Sequence, residues 1–235
     1  MANTGVVYVR MVNGEETTFG VSGALWRDAL VMYDRRTGSY WSQIDGRAIQ
    51  GPLAGNQLQE VPAVVTTWGQ WKADHPGTLV LRPDGISREG SRYDSYFRGS
   101  ELGIFGTESP DPRLPGKAVV LGIRHGDHVT AVPLGRVQEA EVIEETLGEQ
   151  PIVVAPVGDD DGRVYLRTLD DQVLEFEALE RGTLHDRNTG STWDVASGLA
   201  TAGPLAGRKL QAIPVRRAYW FVWVAFHPDT DLFDE

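Results

Sequence analysis

Apolar positions in this chain come in short bursts, mostly alternating with polar ones, and the bursts are separated by Gly, Asn, Asp and Pro. Residues 6–12 (VVYVRMV) and 17–21 (TTFGV) are rich in β-branched and aromatic side chains, and the Asn13-Gly14 pair between them is a hairpin signal. The pattern predicts a two-stranded start. Residues 29–33 (ALVMY) and 39–44 (SYWSQI) flank the polar loop from Asp34 to Gly38, and residues 183–184 and 191–195 flank a similar loop from Asp186 to Gly190. Each predicts a hairpin whose Asp accepts backbone N–H groups and whose Gly supplies a positive φ. Residues 118–123 and 129–134 predict a further hairpin around 124–128, with Pro133 marking an edge or a bulge. A buried strand is expected at 151–157 (PIVVAPV), a helical segment at 138–147, and a copy of the opening pair at 164–169 and 173–177.

The period changes at residues 66–75. A hydroxyl cap at Thr66-Thr67 precedes Trp68, Trp71 and His75 at i, i+3 and i+7, and Pro76 ends the pattern, which predicts a short amphipathic helix. A second such segment, at 218–227, is apolar all round and is expected to be more buried.

These similarities belong to one internal duplication. Residues 34–78 laid without gaps on 186–230 give 22 identities in 45 positions, including Trp41/Trp193, the GPLAG turn, Trp68/Trp220, Trp71/Trp223 and His75/His227. Tyr8 and Phe19 fall on Tyr165 and Phe176 at a different offset. The expected organisation is a first repeat at 1–86, an irregular connection at 87–115 whose aromatics pack on a lobe, and a second repeat at 116–235. The expected fold is mainly β: two pseudo-symmetric repeats, each a small barrel-like or sandwich-like sheet closed by one short Trp-bearing helix. The second repeat has a hairpin and the PIVV strand ahead of its duplicated block, and the first has no counterpart to them. The first repeat therefore lacks its opening strands, and a sheet edge is expected to be left there for other residues to cover.

Composition narrows the function classes. Among 235 residues, 33 are acidic and 22 basic, for a net charge of −11, a field that repels phosphate backbones and anionic membrane surfaces. Nucleic acid is set aside as a partner, and so is membrane insertion, since no apolar run approaches a spanning length. No targeting signal is read at the N-terminus. The chain contains no cysteine, which excludes disulfides, thiolate metal sites and cysteine nucleophiles within it. No cofactor is expected.

The candidate ligand-binding residues are the duplicated aromatic and histidine set, Trp68, Trp71 and His75 with Trp220, Trp223 and His227. Two aromatic-lined sites can bind a small ligand, and His75 and His227 facing each other across an approximate twofold could share a metal; the partner, small molecule or protein, is left open. The competing expectation is that both sets are core aromatics with a helix-ending His, and packing is the commoner reason for such a pattern. His125 and His128 have ligand-like spacing but fall in a predicted turn, without third and fourth ligands nearby. Asp159, Asp160 and Asp161 precede Gly162 as in the start of a calcium loop, but the spaced acceptors are missing, which predicts an exposed turn. No Gly-x-Ser-x-Gly elbow occurs, and Ser39 and Ser191 follow Gly as in ordinary turns.

Taken together, the stretch from FGVSGALW to GPLAG, the TTWGQWKADHP helix, RLPGKAVVLGIRHGDHVTAVPL and the terminal FHPDTDLF resemble the domain of unknown function 3179 family. The resemblance spans nearly the whole chain and implies a duplicated, β-rich protein of a family without an established activity. Many members carry a Cys-Pro-x-Cys or selenocysteine segment just before a stretch similar to Asn3-Thr4-Gly5. In that alignment Ala2 stands at the second thiol position. The expected function is a non-catalytic binding or scaffold module; the alternative is a thiol oxidoreductase-like or metal-dependent enzyme whose reactive residue lies upstream or has been lost.

Overall fold

The turn chemistry sets which strands pair. In a computed structural model, which describes residues 2–81, 93–107, 109, 111–180 and 182–233, Asn13 and Gly14 both take positive φ (53° and 80°), the geometry that joins antiparallel strands with matching twist. Their counterparts Asp170 and Asp171 do the same at 50° and 62°, a conformation that Asp tolerates better than most side chains.

In chain order the first repeat contains β1 (Val7–Tyr8), β2 (Met11–Val12), β3 (Glu15–Glu16), β4 (Phe19–Trp26), β5 (Ala29–Asp34), β6 (Tyr40–Ser42), β7 (Ala48–Gln50), β8 (Glu60–Val61) and the helix α1 (Trp68–Asp74). A one-turn helix α2 (Asp94–Arg98) follows. The second repeat contains β9 (Val119–His125), β10 (His128–Pro133), α3 (Leu134–Ala140), β11 (Ile143–Leu147), β12 (Gln150–Val157), β13 (Asp161–Leu166), β14 (Thr168–Leu169), β15 (Gln172–Val173) and β16 (Phe176–Glu180). It ends with β17 (Thr183–Asp186), β18 (Thr192–Asp194), β19 (Leu199–Ala202), β20 (Ala212–Ile213), β21 (Val215–Tyr219), α4 (Trp220–Phe226) and β22 (Asp231–Leu232).

The duplication is visible in the sheets. β4-β5-β6-β7 and β16-β17-β18-β19 are antiparallel four-stranded sheets of the same order, and each has a register shift along its first strand. Among the described residues both are open, so the barrel-like closure expected from the sequence is replaced by open sheets. Strands of three to eight residues interrupted by bulges turn away before their edges meet. The opening pair also differs from expectation. β2 and β3 pair only at their tips, because Phe19 packs edge-on against Trp41, with ring centroids 5.7 Å apart, and this carries β4 onto β5 instead.

The DRxTGS loop is more than a turn. Asp34 is fully buried: Oδ1 accepts the Thr37 N–H, and Oδ2 accepts both the Ser39 N–H (3.1 Å) and the Trp41 indole N–H (3.0 Å). Asp186 repeats this with Thr189 and Trp193. Burial opposes ionisation of Asp34, but the hydrogen bonds from Trp41 and Thr37 and from the Arg36 backbone outweigh it and hold the carboxyl below its ordinary value. A second repeated lock is the tyrosine hydroxyl: Tyr8 donates to the Gln43 carbonyl (2.8 Å) and Tyr165 to the Val195 carbonyl (2.7 Å). Each ring fits only because a glycine lies beneath it. A Cβ at Gly46 would stand 2.6 Å from Tyr8, and one at Gly198 2.5 Å from Tyr165.

Three local expectations are corrected. The segment expected to be helical at 138–147 is helical only to Ala140; Glu141 takes a left-handed φ of 61°, and residues 143–147 pair with β12. Asp161 belongs to no exposed turn. It is 3% exposed, starts β13, and accepts N–H groups from Gly162 and, across the molecule, Val65. Within the stretch expected to be irregular, residues 94–98 form α2, and Tyr96 packs on the cluster of Ala2, Ala29, Ile44, Tyr219, Phe221 and Val222; the expected boundary at residue 86 lies outside the described residues.

The asymmetry between repeats is equally plain. β13 has β12 on one side and β20 on the other, whereas its counterpart β1 has only β8 among the described residues. β9, β10, α3, β11 and β12 build a core around Leu121, Ile123, Val137, Ile152 and Val154, all buried to the last ångström, and the first repeat has no such layer among the described residues.

Candidate functional site

Helix α4 displays the Trp/His element when it is covered. Its sequence WFVWVAF is apolar all round, and both faces are used. Trp220, Trp223 and Val224 pack into the β9–β10 hairpin against Val120 and Ala131. Trp223 lies on Gly122, where an added Cβ would meet the ring at 2.3 Å, so that strand position admits only glycine. The Trp220 indole donates to the Asp111 carbonyl (3.2 Å) beneath the Arg113 guanidinium. The opposite face, Phe221 and Val222, packs on Ala2, Ala29 and Ile44 of the first repeat. His227 ends the helix by donating its backbone N–H to the Trp223 carbonyl (2.9 Å), and the Trp223 indole donates to Thr230 Oγ1 (3.0 Å).

Helix α1 makes the same C-terminal bonds without the cover, and adds an N-cap that α4 lacks. The His75 N–H reaches the Trp71 carbonyl (2.8 Å), the Trp71 indole reaches Thr78 Oγ1 (2.9 Å), and Thr67 caps the N-terminus by accepting the Gln70 N–H (3.2 Å). Yet no residue of α1 is buried; Trp68 is 51% and Trp71 40% exposed, against 0% for Trp220 and Trp223. Residues 231–232 pair with β10, whereas their counterparts Leu79 and Val80 are 94% and 67% exposed.

The six candidate residues thus fall into two groups. Trp220, Trp223 and His227 are built into the core and the junction between repeats, and Trp68, Trp71 and His75 line an open surface. His75 stacks on Trp71 at 4.0 Å and His227 on Trp223 at 4.2 Å, each within its own repeat. Among the described residues no group of three or more His, Asp or Glu side chains is arranged to hold a metal ion. His125 and His128 face each other across the β9–β10 register without further ligands from that set.

The repeats meet at a cluster of ionisable groups that the repeat pattern does not announce. From the first repeat come Tyr8 on β1, Glu60 opposite it on β8, and Asp45 in the turn after β6; from the second come Arg216 on β21 and His227 after α4. Arg216, 3% exposed, is paired with Glu60. His227 Nε2 stands 3.6 Å from Asp45 Oδ1, beyond hydrogen-bond reach, and neither atom has a hydrogen-bond partner among the described residues. Burial drives the titrations here. It lowers His227 to about 3, with the positive charges of Arg216 and Arg124 acting in the same direction. It raises Asp45 and Glu60 above the usual carboxylate range, opposed mainly by Arg216, and it raises the Tyr8 phenol. At neutral pH the imidazole is uncharged, so the Asp45–His227 contact is no ion pair. Tyr8, the nearby hydroxyl, is committed to the Gln43 and Ile44 carbonyls.

This cluster lies at positions where the repeats differ, which identities between the repeats do not reveal. The signal lay in the differences: Asp45, Glu60 and Arg216 correspond to Ser197, Ala212 and Val64.

The family model described as "Protein of unknown function (DUF3179)" matches residues 1–230. The chain belongs to the DUF3179 family. The chain holds no cysteine. No curated protein matches it in sequence. No helix of the described residues is long and apolar enough to cross a membrane.

Proposed function

We propose that this DUF3179 chain is a non-catalytic binding module that holds a polypeptide partner against helix α1. One observation carries the proposal: Trp68 and Trp71 are about half exposed, while the identical Trp220 and Trp223 are wholly buried. An exposed pair of indoles beside three exposed apolar residues, Leu79, Val80 and Leu81, is the kind of surface that marks an interaction site, and tryptophan is the residue most enriched where binding energy concentrates. In this proposal residues 1–86 and 116–235 are pseudo-twofold lobes joined by 87–115, with α4 the finished copy of the element and α1 the open one.

The test is site-specific photo-cross-linking in the source cells with a benzophenone side chain in place of Trp68. A discrete adduct with a second polypeptide, strongly reduced by adding Trp71→Ala, is expected. Cross-linking no greater than from Val21, which is more exposed than Trp68, overturns the proposal.

A further inference from the structure

We infer that the partner presents a two-stranded antiparallel β-hairpin, which lies across α1 as β9–β10 lies across α4. The inference rests on the binding-module reading and names the partner's structural class. The interface it copies already exists inside the molecule, and four observations tie α1 to it.

First, α1 has kept one face of its twin and lost the other. Trp220 and Trp223, which meet the hairpin, remain Trp68 and Trp71; Phe221 and Val222, which meet the neighbouring repeat, have become Gly69 and Gln70. The apolar residues that face the other lobe have no counterpart here, whereas two of the three residues that face the hairpin do, Val224 alone being replaced, by Lys72. Second, the surface is preorganised: the Trp71 indole is already clipped to Thr78, as Trp223 is to Thr230, so the ring is held in the orientation that meets a hairpin. Third, the backbone on both sides of the helix is in no strand among the described residues, although Asp161 already accepts the Val65 N–H. β21 adds antiparallel to β9 and β22 adds parallel to β10. Their counterparts, residues 63–67 and 79–80, lie in no strand among the described residues, so an incoming hairpin can be paired on both its edges. Fourth, charge refines the fit. Lys72 replaces Val224 and has no ion-pair partner among the described residues, so the hairpin that suits α1 carries a carboxylate where β9–β10 offers apolar side chains. It also needs a glycine over Trp71, as Gly122 lies over Trp223.

The experiment is hydrogen exchange on the full chain, alone and with a synthetic peptide copying residues 118–134. The same sequence is also tethered ahead of residue 2 through a flexible Gly/Ser linker, which raises its effective concentration to about the millimolar range and removes weak affinity as a reason for failure. Exchange across 63–67 and 79–81 is expected to slow about tenfold when the peptide is at about ten times its dissociation constant. The tethered form gives the same protection, and a Gly122→Leu version of the hairpin sequence gives none. Unchanged exchange in the tethered protein, or equal protection by the leucine version, overturns the inference. So does protection that grows with protein concentration without any hairpin, because the occupant is then a second copy of the chain. If the hairpin fails while cross-linking from position 68 still captures a partner, the binding module stands and only the hairpin falls; failure of both removes both.

Discussion

His227 gives the junction between repeats a measurable pH signature. The ring is packed on Trp223, faces Asp45 Oδ1 at 3.6 Å and lies in the positive field of Arg216 and Arg124, which together with burial bring its pKa to about 3. An unfolded chain protonates the same imidazole at about 6.5. The unfolded state therefore binds the proton first, and folding stability falls as pH drops through the window from about 6.5 to 3. The loss is RT times the logarithm of the ratio of the two binding polynomials. For these two values it amounts to about 0.2 kcal/mol at pH 7, about 1.4 at pH 5.5 and about 2.7 at pH 4.5. His227→Gln keeps a polar side chain of similar length that never takes up the proton. Urea unfolding of both proteins, followed by tryptophan fluorescence, should show wild type losing about 2.5 kcal/mol more than the variant between about pH 7 and 4.5. Asp45, Glu60 and Asp161, whose pKa values burial raises, act in the opposite sense: they take up protons more readily when folded and favour the folded state as pH falls. Both proteins carry them, so the difference between the two curves isolates the imidazole. Parallel curves, with a difference changing by less than about 0.5 kcal/mol, refute a neutral, desolvated His227.

Two further outcomes use the duplication as an internal control. Trp223→Ala removes a wholly buried indole and should cost about 3–5 kcal/mol, whereas Trp71→Ala at the equivalent place should cost less than about 1 kcal/mol; equal shifts in the urea midpoint would contradict the open state of α1. Asp34→Asn weakens a charge-assisted acceptor of the Trp41 indole and of two backbone N–H groups, a loss of about 1.5–3 kcal/mol at pH 7. Because the Asp34 pKa is depressed on folding, its contribution is present above the unfolded carboxylate value and fades as pH drops below it. The variant should accordingly lose less stability than wild type on acidification below about pH 4, as thermal unfolding at two pH values will show.

How much of this was legible in the sequence depends on the range of the interaction. Hairpins fixed by Asn13-Gly14 or by Gly38 and Gly190 were readable because the constraint is a backbone angle set by two or three residues. The pairing partner of β4 was not, since it was decided by the contact of Phe19 with Trp41, and nothing local in TTFGV favours β5 over β2. The helix expected at 138–147 failed for a similar reason: residues 143–147 carry no period-2 pattern of their own, and pairing with β12 outweighed any local helical preference. The role of Asp161 was hidden because its acceptor faces Val65, on the other repeat.

The Trp/His element marks the limit of motif reading most sharply, since one motif occupies two environments in one molecule. From TTWGQWKADHP and AYWFVWVAFHP the same pair of indoles and the same terminal His could be read, and the C-terminal cap and the indole-to-threonine bond are alike in both. Environment follows from what else each repeat owns. The second repeat has β9–β10 to lay over its tryptophans, and the first has none among the described residues, so identical side chains become core in one place and surface in the other. The substitutions between the copies are ordered accordingly. Phe221 and Val222 face a neighbour that α1 does not have, and there the first repeat holds Gly69 and Gln70; the tryptophans face a hairpin, and there it keeps them. Had α1 become an ordinary solvated helix, both faces would be polar. Two exposed tryptophans on one face, with the Trp71–Thr78 hydrogen bond in place, are the feature on which the proposed binding surface rests.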